Sequence, residues 1–251
     1  MSEPRTALVT GGAKRIGAEI VRALAHDGWA VAIHCRNSVA EAEALANGLR
    51  SAGGNAAVVT GDLSNLKVLR GILPAANKVL GPVNLLVNNA SVFLFDRIGA
   101  LDAEHWQIQF DVNLRAPVFL AEAFAAQLPD GVQGNVINMI DQRVWNPTPE
   151  MTSYTLTKSA LWTATQTLAQ ALAPRVRVNG IGPGPTLPNP RDGRDGLSSE
   201  VARVPLRRAV DLADFGRAVR FLVETRSMTG QMLALDSGQH LVWKTPTGAA
   251  D

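Results

Sequence analysis

Seven short runs rich in apolar and β-branched residues lie near residues 7–10, 30–34, 56–60, 83–88, 135–140, 176–181 and 232–235. The longer stretches between them carry apolar residues at helical spacing, such as Ile16, Ile20 and Leu24, or Leu45 and Leu49. Strands that alternate with helices are joined by crossovers, so the expected product is an α/β fold: a doubly wound, mostly parallel seven-stranded sheet with helices on both faces. The punctuation agrees. Gly28 can end the first helix, Gly53 and Gly54 the second, and Asp211 can cap the last long one.

A chain of 251 residues suits one domain of this kind, spanning 1–251. With 46% hydrophobic and 18% charged residues it can bury a core and does not read as disordered. The one irregular region, 182–196, holds prolines at 183, 185, 188 and 190, which continue neither a helix nor a central strand. It is expected to form, over about 182–204, a substrate loop or lid, and residues 244–251 are expected to fray.

Several classes of function fall away. The sole cysteine, Cys35, rules out an intramolecular disulfide framework or an all-cysteine zinc site and fits a reducing cytoplasm. No leader-like pattern opens the sequence and no apolar run is membrane-spanning, so a soluble, unprocessed cytoplasmic protein is expected. Net charge is +2, with cations scattered among acids, which makes nucleic acid a poor partner. His26, His34, His105 and His240 lack metal-ligand spacing and are expected to be structural or exposed; no metal is expected. Among the tryptophans, Trp145 stands out as a residue that borders a site, whereas Trp29, Trp106, Trp162 and Trp243 are expected in the core or an interface.

The segment Thr10-Gly11-Gly12-Ala13-Lys14-Arg15-Ile16-Gly17 follows the first strand and opens the first helix. There, backbone N–H groups and the helix dipole favour a pyrophosphate, and glycine lets the backbone approach it, so the sheet is expected to be of Rossmann type. At the end of the second strand, where an NAD enzyme carries an acid for the ribose hydroxyls, the chain reads His34-Cys35-Arg36-Asn37-Ser38. Arg36 offers a planar fork for a 2′-phosphate, Ser38 a hydroxyl, and Arg15 can reach the same group, which favours NADPH; solvated surface arginines are the plainer alternative. Asp62, before Leu63, is placed either to accept from the adenine amino group or to cap a helix ahead of Asn65. Asn89, Ala90 and Ser91 follow the fourth strand at the ligand-binding edge, and Pro183 and Gly184, beyond the sixth, are also expected to bind the cofactor.

Tyr154 is the only tyrosine, and Lys158 lies one helical turn later on the same face. An ammonium beside a phenol stabilises phenolate and lowers a pKa that is ordinarily about 10, which would tune Tyr154 as a general acid. Taken alone such a pair is common and structural. It follows here, in order, the glycine loop, Asn89-Ala90 and Asn113, and with them it resembles the short-chain dehydrogenases/reductases over about residues 6–241. That resemblance implies that Lys158 binds the nicotinamide ribose, that Asn113 helps hold a relay water, and that the protein is a homotetramer with the helices bearing Asn113 and Tyr154 packed between subunits.

Thirteen residues before Tyr154 that family carries a serine, and this chain has Asp141. A carboxyl group there, Arg15 inside the glycine loop, and Ser91 followed by Phe93 resemble the pteridine and dihydromonapterin reductases. A flat pterin would stack on Phe93, with Arg15 and Ser91 at its edge, and a ring nitrogen would be protonated through Asp141 and Tyr154. Core packing for Phe93, and a turn cap or an Arg143 pair for Asp141, are the competing readings. The expected function is therefore NADPH-dependent reduction of a small pterin-type substrate. The alternatives are a carbonyl or alcohol oxidoreductase of the same fold, such as a 3-oxoacyl thioester reductase, and a non-catalytic NADPH-binding protein.

Overall fold

The computed structural model describes residues 5–189 and 193–242. Pro190, Trp243 and the tail over 244–251 lie outside the described residues. Within them, seven strands form one sheet: β1 (Thr6–Val9), β2 (Ala30–Cys35), β3 (Ala56–Thr60), β4 (Leu85–Asn88), β5 (Gly134–Met139), β6 (Val176–Pro183) and β7 (Met232–Leu235). Their spatial order is β3-β2-β1-β4-β5-β6-β7, and every neighbouring pair is parallel. The sequence-predicted sheet is thus present, fully parallel, with bounds shifted by at most two residues.

Side-chain alternation explains why the strands read as unbroken apolar runs. Ala7 and Val9 of β1, with Val31 and Ile33 of β2, face one core, while Leu8 and Ala32 face another. The first core is closed by α1 (Arg15–His26), α2 (Val39–Ser51) and α8 (Leu212–Glu224). The second is closed by α3 (Leu66–Leu80), α5 (Ala116–Gln127) and α6 (Thr152–Leu172). A parallel sheet covered on both faces has no polar side to display.

Helix ends follow the chemistry expected of them. Gly28 and Gly53 take positive φ after α1 and α2, and the Asp211 side chain accepts from the Ala213 N–H to start α8. Asn65, not Asp62, caps α3, accepting from Lys67 and Val68. Between α4 (Ala103–Phe110) and α5 the chain makes a π turn, Asp111–Arg115, that carries Asn113. Where an irregular stretch was expected from 182 to 196, β6 runs to Pro183 and a helix, α7 (Gly193–Arg203), begins at its far end; α7 buries none of its residues. Among the described residues no helix is long and apolar enough to cross a membrane.

Strand order reverses between β1 and β4. A crevice therefore opens at their carboxyl ends, where connections leave in opposite directions.

Candidate active site

The crevice is lined by the glycine loop, the ends of β4, β5 and β6, and the first turns of α6, enclosing about 430 Å³. Gly11, Arg15, Ile16, Gly17, Asn89, Ala90, Ser91 and Phe93 meet there with Asp141, Tyr154, Lys158, Pro183 and Gly184. Lys14, Met139 and Ile140, which sequence reasoning did not single out, also line it.

The loop after β1 is shaped for close approach. Gly11 has φ +61°, and a Cβ on Gly17 would lie 2.3 Å from the Gly11 carbonyl oxygen. Asn89 pins this turn, its amide donating to the carbonyls of Thr10 (2.9 Å) and Gly11 (3.0 Å), while Thr10 Oγ1 accepts from the Asn89 and Ala90 N–H groups. On the other side, His34 is buried between Gly11 N–H, which donates to its Nδ1 at 3.3 Å, and the Gly61 carbonyl, 3.0 Å from Nε2. That arrangement requires the neutral ring with its proton on Nε2. At the far edge, a Cβ on Gly184 would fall 2.5 Å from Asp236 Cα, so only glycine lets β6 turn there.

Burial holds His34 down at about 4, below its ordinary 6.5. The unfolded chain therefore takes up a proton that the folded one refuses, so this contribution to stability is full above about pH 6.5 and is lost as pH falls towards 4, by roughly 3 kcal/mol in all. Urea unfolding at about pH 7 and 4.5 should show that loss, and His34→Gln should flatten it; equal slopes in the two proteins would refute the assignment.

Arg36, Asn37 and Ser38 stand beyond the crevice at the end of β2. Arg36 and Asn37 are exposed, and the Ser38 hydroxyl does not cap α2. Asp62 does not cap the helix: its Oδ1 accepts from the Ser64 N–H and hydroxyl, and Oδ2 lies 3.8 Å from Arg36 Nη1. Leu63 beside it is buried in the core. Arg15 departs from its expected course. Its backbone has φ +54°, and its guanidinium donates to the carbonyls of Pro188 (3.0 Å) and Leu187 (3.5 Å), on the β6 side of the sheet and away from Arg36.

At the chemical end, the Tyr154 hydroxyl donates to Asp141 Oδ2 at 3.0 Å. Asp141 Oδ1 accepts from the Arg143 N–H at 2.9 Å and lies 4.0 Å from Arg143 Nε. One carboxyl oxygen thus caps the turn after β5 and the other faces the phenol. Phe93 is 42% exposed, and its ring meets that of Tyr154 edge-to-face at 4.7 Å, which removes the core-packing reading. Lys158 is buried and donates to the Met139 carbonyl at 2.8 Å, its Nζ 5.6 Å from the centre of the tyrosine ring. Asn113, also buried, accepts from Val92 N–H and Ser91 Oγ and donates to the Val92 carbonyl and Thr157 Oγ1, tying the loop after β4 to α6.

The electrostatics correct one expectation. Desolvation is the largest influence on all three ionisable groups, and it raises Asp141, raises Tyr154 well above 10, and lowers Lys158 to about 8. Burial, and after it the Asp141 carboxylate, push the phenol up, so the Tyr–Lys spacing alone does not set its acidity.

Sequence reasoning missed the residue that sets Tyr154 in place. Asp96 is buried in the loop after β4, and both of its carboxylate oxygens accept from the Ser153 N–H at the start of α6. Met151, in the left-handed region at φ +57°, donates its N–H to the Asp96 carbonyl. Trp145 is half exposed beside the turn after Asp141, edge-on to Trp162 and to His240, whose Nδ1 lies 2.6 Å from Asp236. Among the described residues no group of three His, Cys, Asp or Glu side chains is placed to hold a metal.

A parallel doubly wound sheet with a buried tyrosine, lysine and asparagine gathered at its carboxyl edge defines an oxidoreductase. The chain belongs to the short chain dehydrogenase family, whose model matches residues 5–194. It is similar in structure to the FolM alternative dihydrofolate reductase 1 of Brucella suis, crystallised with NADP, at 54% identity and a TM-score of 0.94 over 98% of both chains. The same protein from Brucella canis, also with NADP, gives 54% and 0.92 over 96% of each. Pteridine reductase 1 of Leishmania tarentolae is 31% identical over 94% of this chain and 96% of its own. The pteridine-reductase-like subgroup read from Arg15, Asp141 and Phe93 is the one these relatives represent.

Proposed function

We propose that the protein is an NADPH-dependent reductase that converts dihydropterins to tetrahydropterins. The observation that carries this is the 3.0 Å bond from Tyr154 to a carboxyl group, Asp141, beneath an exposed Phe93 ring. Carbonyl and pterin C=N reduction each take one hydride and one proton, so what favours the pterin is the exposed aromatic surface of Phe93, suited to a flat ring, above a carboxyl–phenol pair that can protonate a ring nitrogen. The names of the Brucella and Leishmania relatives support the same substrate class.

The cradle fits the cofactor, since a Cβ on Gly17 would strike the Gly11 carbonyl and one on Gly11 would crowd Ala90, so the two glycines let the loop close tightly before the backbone N–H groups at the head of α1. The absence of a carboxylate among residues 34–38, with Arg36 and Ser38 present, supports NADPH over NADH. When bound, NADPH supplies the hydride. Lys158 then binds the nicotinamide ribose; Asn113 holds Ser91 and Val92 against α6, and Arg15 holds Leu187 and Pro188 beside the substrate. Tyr154 and Asp141 deliver the proton to the ring nitrogen. A single domain over 1–251, a cytoplasmic location and a homotetramer accompany this reading.

The test is NADPH oxidation by the purified protein with dihydrobiopterin, dihydromonapterin and dihydrofolate beside a 3-oxoacyl thioester and a simple ketone. Turnover of pterin-ring substrates is expected. Turnover of the carbonyl compounds alone would overturn the proposal, and cofactor binding without any turnover would point to a non-catalytic role. Because Lys158 sits at about 8, kcat/KM should fall as pH rises through that value and its ammonium is lost; a rate flat from about pH 6.5 to 9.5 would remove it from the mechanism.

A further inference from the structure

Two cations stand on the β2 side of the glycine loop, and each faces an acid. Lys14, the last residue before α1, has its Nζ 2.5 Å from Glu41 Oε1 in the first turn of α2, with both side chains about half exposed, at 52% and 48%. Arg36 is held more loosely, 3.8 Å from Asp62. The glycine loop is fixed against β2 by the Gly12 N–H donating to the His34 carbonyl at 2.9 Å and by the Gly11 bond to the His34 ring. The Lys14–Glu41 pair therefore bridges the glycine loop and the head of α2, on the side where Arg36 and Ser38 stand.

We propose that Glu41 is a specificity-determining residue, an internal anion that holds Lys14 until the 2′-phosphate of NADPH displaces it. The inference rests on the NADPH reading above. An ion pair this exposed is weak, so a phosphate carrying about −1.5 to −2 charges displaces a single carboxylate from a lysine. After displacement Glu41 remains on the first turn of α2, close to that phosphate, and like charges at such range repel even in water. Glu41 therefore loosens the phosphorylated cofactor selectively. NADH, with a hydroxyl in that position, neither competes for Lys14 nor meets the repulsion. The consequence is faster exchange of oxidised for reduced NADP(H) between turnovers at some cost in affinity.

Fluorescence titration of the full chain with NADPH and with NADH, for wild type and Glu41→Gln, tests this. Glu41→Gln keeps the side-chain length at an exposed site and removes only the charge. NADPH should bind about three- to tenfold more tightly to the variant, through a slower off-rate, with the gain shrinking as salt is added, and NADH should change by less than twofold. An NADPH affinity that is unchanged or weaker, or an equal gain for NADH, overturns the role of Glu41 while leaving the cofactor preference standing. Wild-type protein that binds the two cofactors equally overturns the NADPH reading and this inference together.

Discussion

Tyr154→Phe should lower kcat for pterin reduction by about 10²–10⁴-fold, the range a positioned general acid contributes, and should leave NADPH affinity within twofold of wild type. The separation follows from what each side chain touches. Lys158 takes its orientation from the Met139 carbonyl at 2.8 Å and not from the phenol, so losing the hydroxyl does not release the ammonium. The ring remains edge-on to Phe93, since phenylalanine keeps the same aromatic edge. Only the hydroxyl donating to Asp141 Oδ2 disappears. Steady-state kinetics with saturating NADPH and a separate cofactor titration give the two numbers. A kcat within tenfold of wild type would mean that Asp141 or water donates directly, and a parallel loss of NADPH binding would mean that Tyr154 organises the cofactor site.

The sheet was legible because its signals are local: apolar runs of strand length, helical spacing between them, and glycines where φ turns positive at 28 and 53. The crevice was legible for the same reason, since a glycine loop after β1 and a Tyr–Lys pair one turn apart on α6 announce their own geometry. What spacing does not carry is the partner across the fold. Asp96 reaches Ser153 over 57 residues of sequence, and nothing near either one marks the contact. Arg15, expected at the cofactor phosphate and at the substrate's edge, donates to carbonyls 172 and 173 residues away, contacts that its position in the glycine loop does not announce. Tyr154 was expected to be pulled down by its neighbour in sequence; burial and a carboxylate from the end of β5 push it up instead. Lys14 and Glu41 were passed over because exposed charges at a loop and a helix start look like ordinary solvated surface until the two elements are seen side by side.

Asp141→Asn should separate chemistry from folding at the same site. The amide can still accept from the Arg143 N–H through Oδ1, the bond of 2.9 Å that closes the turn after β5, so the local backbone should be unchanged. Its NH₂ group would face Tyr154 as a donor where a carboxylate accepted, and it has no proton to give. Pterin turnover should fall by about 10²–10³-fold. Stability should move the other way. Burial raises the Asp141 carboxyl in the folded protein, so the folded state binds a proton more tightly than the unfolded one, and wild type loses stability as pH rises through that raised value. Asparagine carries no such penalty. The variant should therefore equal wild type below the ordinary carboxylate range and gain on it as pH rises from there to the raised value, read as a Tm difference that widens and then stays constant. Turnover within threefold of wild type would return Asp141 to the role of a turn cap, whereas a Tm difference that shrank with rising pH would show that the buried carboxylate is stabilised by Arg143 and Tyr154 more than burial costs it.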